Sequence, residues 1–108
     1  MPQTHKVLGQ SNPAATTLTT LYTVPAAQAI ASTITICNLA GSATTYRIAV
    51  RPAGASIANQ HYLAYDAALP ANDTATLTLG VALAATDVIS VYAASATVAF
   101  SAFGVEIT

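Results

Sequence analysis

A chain of 108 residues has room for one ordinary domain and too little for two. Only 6% of it is charged, Lys6, Arg47 and Arg51 against Asp66, Asp73, Asp87 and Glu106, giving a net charge of −1. That balance argues against nucleic acid as a partner, since phosphate binding needs several Lys or Arg on one face, and it leaves no long-range field to steer a charged ligand.

The hydrophobic fraction is 54%, yet 25 residues are Ala and 16 are Thr, while Val, Ile and Leu together number 24. Such a core buries little area per residue, so association with copies of itself or with a larger surface is a natural supplement. Cys37 is the single cysteine, so no intrachain disulfide is available, and its apolar surroundings in sequence predict a buried thiol.

Residues 1–17 carry Pro2, Gly9 and Pro13 and hold neither a period of two nor one of 3.6. They read as an extended N-terminal arm whose sizeable apolar anchors are Val7 and Leu8. No apolar stretch of the secretory-signal kind lies in residues 1–10. Residues 18–108 read as a single β-sandwich domain.

Residues 18–24 are Thr-rich and β-branched and are stopped by Pro25. Ile30, Ser32, Ile34 and Ile36 then alternate with Ala31, Thr33, Thr35 and Cys37, which predicts a strand with its isoleucines on one face. After a turn at Gly41 and Ser42, Tyr46, Ile48 and Val50 face one way, and Arg47 and Arg51 face solvent. Pro52 and Gly54 open a longer loop, followed by residues 60–66, whose aromatics fall on both parities.

Leu69-Pro70-Ala71-Asn72-Asp73-Thr74 and Leu83-Ala84-Ala85-Thr86-Asp87-Val88 echo each other at a spacing of fourteen residues. Each predicts a Leu plugging the core edge and an Asp whose carboxylate accepts backbone N–H groups before the next strand. The final strand contains Val98, Phe100 and Ala102 on one parity and Phe103, Val105 and Ile107 on the other. That change of phase predicts a β-bulge near Ser101 and Ala102, with Gly104 relieving crowding and Glu106 pointing away from the apolar set. Residues 81–100 are apolar but hold Asp87 and repeated Ser and Thr, so they read as strands rather than a membrane span.

About seven short strands joined by turns predict an all-β fold, an antiparallel β-sandwich or jelly roll, with the strand order left open.

Chemistry is sparse. Asp73 and Asp87 sit at the repeated turns, His5 and His61 have no partner at metal-ligand spacing, and no nucleophile elbow or phosphate-binding loop is present. No catalytic residue, metal site or cofactor is expected, and the chain does not read as an enzyme. The tyrosines are the remaining signal, because a tyrosine joins apolar contact to a polar handle. Tyr46 is expected in the core. Tyr62 and Tyr65 have opposite parity, so one should face outward and, with Arg51 and His61, form a contact patch for another subunit, a host surface or a glycan.

The runs Leu21-Tyr22-Thr23-Val24-Pro25-Ala26, Ile36-Cys37-Asn38, Tyr46-Arg47-Ile48-Ala49-Val50-Arg51-Pro52-Ala53-Gly54 and Gln60-His61-Tyr62-Leu63-Ala64-Tyr65-Asp66 resemble a group of small accessory virion proteins of tailed phages. So does the end of the chain, from residues 83–88 to Phe103-Gly104-Val105-Glu106. The resemblance implies a virion structural protein, foremost a capsid decoration or cement protein that stabilises the shell as a homo-oligomer, a homotrimer at lattice junctions. Its partners would be itself and the major capsid protein or another virion protein, on the surface of the phage particle, with no nucleic acid and no membrane. The arm would tether neighbouring shell subunits. The alternatives are a carbohydrate- or receptor-binding module of a tail or fibre, and a tail or baseplate joint.

Overall fold

The computed structural model describes residues 3–25 and 28–107. Among them are eight strands: β1 (Gln3–Ser11), β2 (Thr19–Thr23), β3 (Gln28–Asn38), β4 (Thr44–Arg51), β5 (Tyr62–Leu69), β6 (Thr74–Ala84), β7 (Val88–Ala93) and β8 (Val98–Ile107). They form two four-stranded antiparallel sheets, β1-β8-β3-β6 and β2-β7-β4-β5, packed face to face as a sandwich that does not close into a barrel. The pairs β1 with β8, β2 with β7, β3 with β6 and β4 with β5 describe one long hairpin turning between β4 and β5. The pairs β3 with β8 and β4 with β7 then roll that hairpin into two layers.

The inner faces are filled by alternate residues, as strand geometry dictates. Ile34, Ile36, Val98 and Phe100 from one sheet meet Tyr46, Ile48, Ile89 and Val91 from the other, all buried. Tyr46 lies in this core as its parity predicts, edge-on to Phe100 across the sandwich with ring centroids 6.4 Å apart. Cys37, by contrast, lies on the outward parity and is only half-buried, because its neighbours Ile36 and Asn38 take the inward places.

The segment read from sequence as an arm, residues 1–17, contains β1, which pairs with β8 from Gln3 opposite Ile107 to Ser11 opposite Phe100. Leu8 belongs to the core, whereas Val7 faces outward and is 45% exposed. Beyond β1, Asn12 donates to the carbonyls of Ala96 and Val98, and the Thr16 N–H to that of Ala93, so the segment stays fastened to the sheets. An edge strand with one inward apolar residue carries almost no period, which is why it reads as irregular.

The bulge expected at Ser101 and Ala102 is displaced into the strands beside them. β8 keeps a single phase, with Val98, Phe100, Ala102 and Glu106 buried. The register shifts at Leu8 in β1, at Ser32 in β3 and across Leu79 and Gly80 in β6, one row of irregularities at one level of the sheet. The shift at Ser32 turns Ala31 inward and leaves Ile30 outside and 37% exposed, so the four-residue alternation expected from Ile30 to Ile36 breaks halfway. Gly104 sits beside this row, and a Cβ there would lie 2.0 Å from the Ile30 carbonyl oxygen, so only glycine fits.

The echoing turns are alike in three dimensions. Leu69 and Leu83 are buried, Asn72 and Thr86 have φ of 52° and 69°, and the following aspartates accept backbone N–H groups, Asp73 from Thr74 and Asp87 from Ala84 and Ala53. Asn38 is the buried knot between loops: its amide donates to the carbonyls of Ser42 and Pro70, and its Oδ1 accepts from the Ala40 N–H and the Thr97 hydroxyl.

Candidate functional site

The sheet β2-β7-β4-β5 carries the most elaborate surface cluster, and a defect in strand pairing creates it. Tyr46 pairs with Ala67 and Ile48 with Ala64, so Arg47 alone faces both Tyr65 and Asp66. Two residues against one is a β-bulge, and Asp66 absorbs it with a φ of 51°. A second shift sets Ala49 opposite Tyr62 and leaves Leu63 unpaired. Ala64 and Ala67 remain packed on the core, and Tyr62 and Tyr65 emerge together on the outer face. The expectation that opposite parity sends them to opposite faces therefore fails; their rings meet at 83° with centroids 4.9 Å apart.

Arg47 anchors the group. Its guanidinium lies 4.1 Å from the centroid of Tyr65 and 4.2 Å from that of Tyr92, sandwiched between rings contributed by β5 and β7. Its Nε and Nη2 donate to the two carboxylate oxygens of Asp66 at 2.7 and 3.2 Å. This two-point bond raises the guanidinium above its ordinary pKa and holds the Asp66 carboxyl below the usual carboxylate range. Tyr65 is 58% exposed, and with Tyr62 and Asn59 it lines a cleft of about 340 Å³.

Of the patch residues expected from sequence, the structure joins Tyr62 and Tyr65 and assigns Arg51 and His61 to the loop beside them. Arg51 donates to Ser90 Oγ at 3.0 Å and to the Ala55 carbonyl at 3.1 Å. His61 is buried, its Nδ1 accepting the Ala58 N–H at 3.0 Å. Together with the Ala53 N–H bonded to Asp87, these contacts lay the loop, with its 3₁₀ turns Pro52–Gly54 and Asn59–His61, over the outer face where Ala49 and Ser90 are buried. The sequence reading missed Arg47, Asp66, Tyr92 and Asn59 as members of the cluster. Arg47 and Tyr92 are outward by parity, but only the β4–β7 register, which sets them opposite each other, reveals the pair.

The outer face of the other sheet is apolar where the cross-strand register aligns Val7 with Phe103 and Ile30 with Val105. Phe103 is 36% exposed there, beside a shallow cleft that His5, Lys6 and Ser32 rim. Val7 thus belongs to this outer stripe, whereas Leu8 does not.

Glu106 was expected to point away from the apolar residues, and instead it is buried. Inward alternation along β8 carries it between the sheets, where it accepts hydrogen bonds from the Tyr22 hydroxyl at 2.5 Å and from Lys6 Nζ at 3.4 Å. Those donors hold its carboxyl below the ordinary range, and burial together with the carboxylate pushes the Tyr22 phenol well up.

Among the described residues no three His, Cys, Asp or Glu side chains gather closely enough to hold a metal ion, and no helix is long and apolar enough to cross a membrane. The chain matches no known protein family, no curated protein and no solved structure.

Proposed function

We propose that this chain is a structural protein of a tailed-phage particle, a capsid decoration protein that binds the shell as a homo-oligomer, a trimer at lattice junctions. The observation that carries the reading is the outer apolar stripe of Val7, Ile30, Phe103 and Val105 on a protein with so few charges. Apolar pairs on adjacent strands, Val7 beside Phe103 and Ile30 beside Val105, with Val7, Ile30 and Phe103 water-exposed, suit burial against another protein surface, and low charge removes the repulsion that keeps monomers apart.

The strand order supports the reading at the level of architecture. A long hairpin rolled into β1-β8-β3-β6 over β2-β7-β4-β5 fits the jelly-roll reading, an architecture that recurs in viral capsid and lectin domains. That likeness is one of fold alone, and fold does not dictate function. The resemblance of the sequence runs to accessory virion proteins points the same way.

Co-sedimentation with particles lacking the protein tests the proposal, alongside light scattering of the free protein. Saturable binding to shells at a fixed stoichiometry is expected, and Phe103→Gln should weaken it while leaving thermal unfolding unchanged. Binding confined to tails would overturn the shell assignment in favour of a tail, fibre or baseplate component. The aromatic cleft on the opposite sheet is the observation that favours that second reading.

A further inference from the structure

The corner between Tyr62 and Tyr65 has the chemistry of a sugar site. Ring planes at 83° supply a floor and a wall, and the electron-rich face of a phenol attracts the polarised C–H bonds of a pyranose. The corner is preorganised, because the Arg47 sandwich holds Tyr65 from behind and the bidentate bond to Asp66 holds Arg47.

Unspent polarity points to the same class of ligand. Among the described residues, the hydroxyls of Tyr62 and Tyr65 and the side-chain amide of Asn59 take part in no hydrogen bond within the protein, whereas the Tyr22 hydroxyl is committed to Glu106. Two hydroxyls and an amide both donate and accept, as recognition of sugar hydroxyls requires. Charge narrows the choice further. No ionic side chain lines the cleft, the nearby Arg47 and Asp66 neutralise each other, and Arg51 in the adjoining loop is engaged by Ser90 and the Ala55 carbonyl. At about 340 Å³ the cleft is at the small end for ligand sites, which fits one or two rings and no long chain.

We propose that the cleft of Asn59, Tyr62 and Tyr65 binds a neutral pyranose of a surface glycan. The proposal is independent of whether the chain sits on shell or tail.

Amide and saturation-transfer NMR on the full chain tests it, with the methyl glycosides of glucose, galactose and N-acetylglucosamine as probes and glucuronic acid as the charged control. Saturable shifts confined to the surroundings of residues 59–65 are expected for at least one neutral sugar. Tyr65→Ala should weaken that binding by about tenfold or more, and Asn59→Ala, in an exposed loop, should weaken it without touching the sheet. No saturable response to any neutral sugar, a response unchanged in both variants, or preference for glucuronic acid would overturn the proposal. So would protection of Tyr65 from hydrogen exchange by added shells when sugars leave it unaffected, since the occupant would then be a protein.

Discussion

Glu106 on β8 and Tyr22 on β2 share a 2.5 Å hydrogen bond that ties one sheet to the other inside the sandwich. The folded-state pKa of the carboxyl is lowered, so its stabilising contribution is present above the ordinary glutamate value of 4.5 and is lost as pH falls through the folded value. The phenol is shifted upward, so its contribution is complete below the ordinary 10.0 and is lost at higher pH. Unfolding midpoints should therefore plateau at neutral pH and fall on both sides. Glu106→Gln should flatten the acid limb relative to wild type, and Tyr22→Phe the alkaline one. At neutral pH Tyr22→Phe should cost about 1–3 kcal/mol in urea unfolding, because the buried carboxylate loses a donor.

Leu8 and Val7 are adjacent, yet they should behave oppositely. Leu8→Ala opens space in the core and should cost about 2–3 kcal/mol, whereas Val7→Ala on the outer face should change stability by no more than about 0.5 kcal/mol. Deleting residues 1–17 removes a paired strand and bares the β8 edge, so the truncated chain should unfold at lower urea and self-associate. If it keeps wild-type stability, β1 is dispensable and the arm description stands.

Gly104→Ala should fail to fold or lose at least about 3 kcal/mol, since the new methyl would collide with the Ile30 carbonyl in the neighbouring strand. Gly41→Ala is the control. Nothing lies within 4 Å of a Cβ there, and thermal unfolding should be nearly unchanged.

Asn38→Ala should destabilise by about 2–4 kcal/mol, with two carbonyls and one N–H losing their side-chain partner and the Thr97 hydroxyl left with Ser95 alone. Hydrogen exchange should report the loss first at Ala40, whose N–H is bonded to the missing oxygen.

The two-layer β architecture is legible in the sequence wherever a strand keeps its alternation, as β4 and β7 do. It becomes illegible where pairing slips. Ile30 and Ile34 share a parity in the chain and lie on opposite sides of their sheet, because Ser32 between them is the extra residue of a bulge. A bulge is set by the register of neighbouring strands, which is long-range information. The same cause hid the aromatic cluster: Tyr62 and Tyr65 were visible as candidates, but their contact needs the shift at Leu63, which lies between them on β5. Arg47 and Tyr92 are brought together by the β4–β7 pairing, and no local pattern announces it. The paired turns before Asp73 and Asp87 were readable because their chemistry is local.

The rolled hairpin also fixes an order of events during synthesis. β4 and β5 are the only pair among the described strands whose members follow each other in sequence, and every other inward pair spans them, out to Gln3 opposite Ile107. On a ribosome β1, β2 and β3 emerge long before β8, β7 and β6 exist to receive them, and non-local pairing of this kind is slow. β1 and β2 hold few large apolar residues, which suits strands that must wait for β8 and β7 before they can pair.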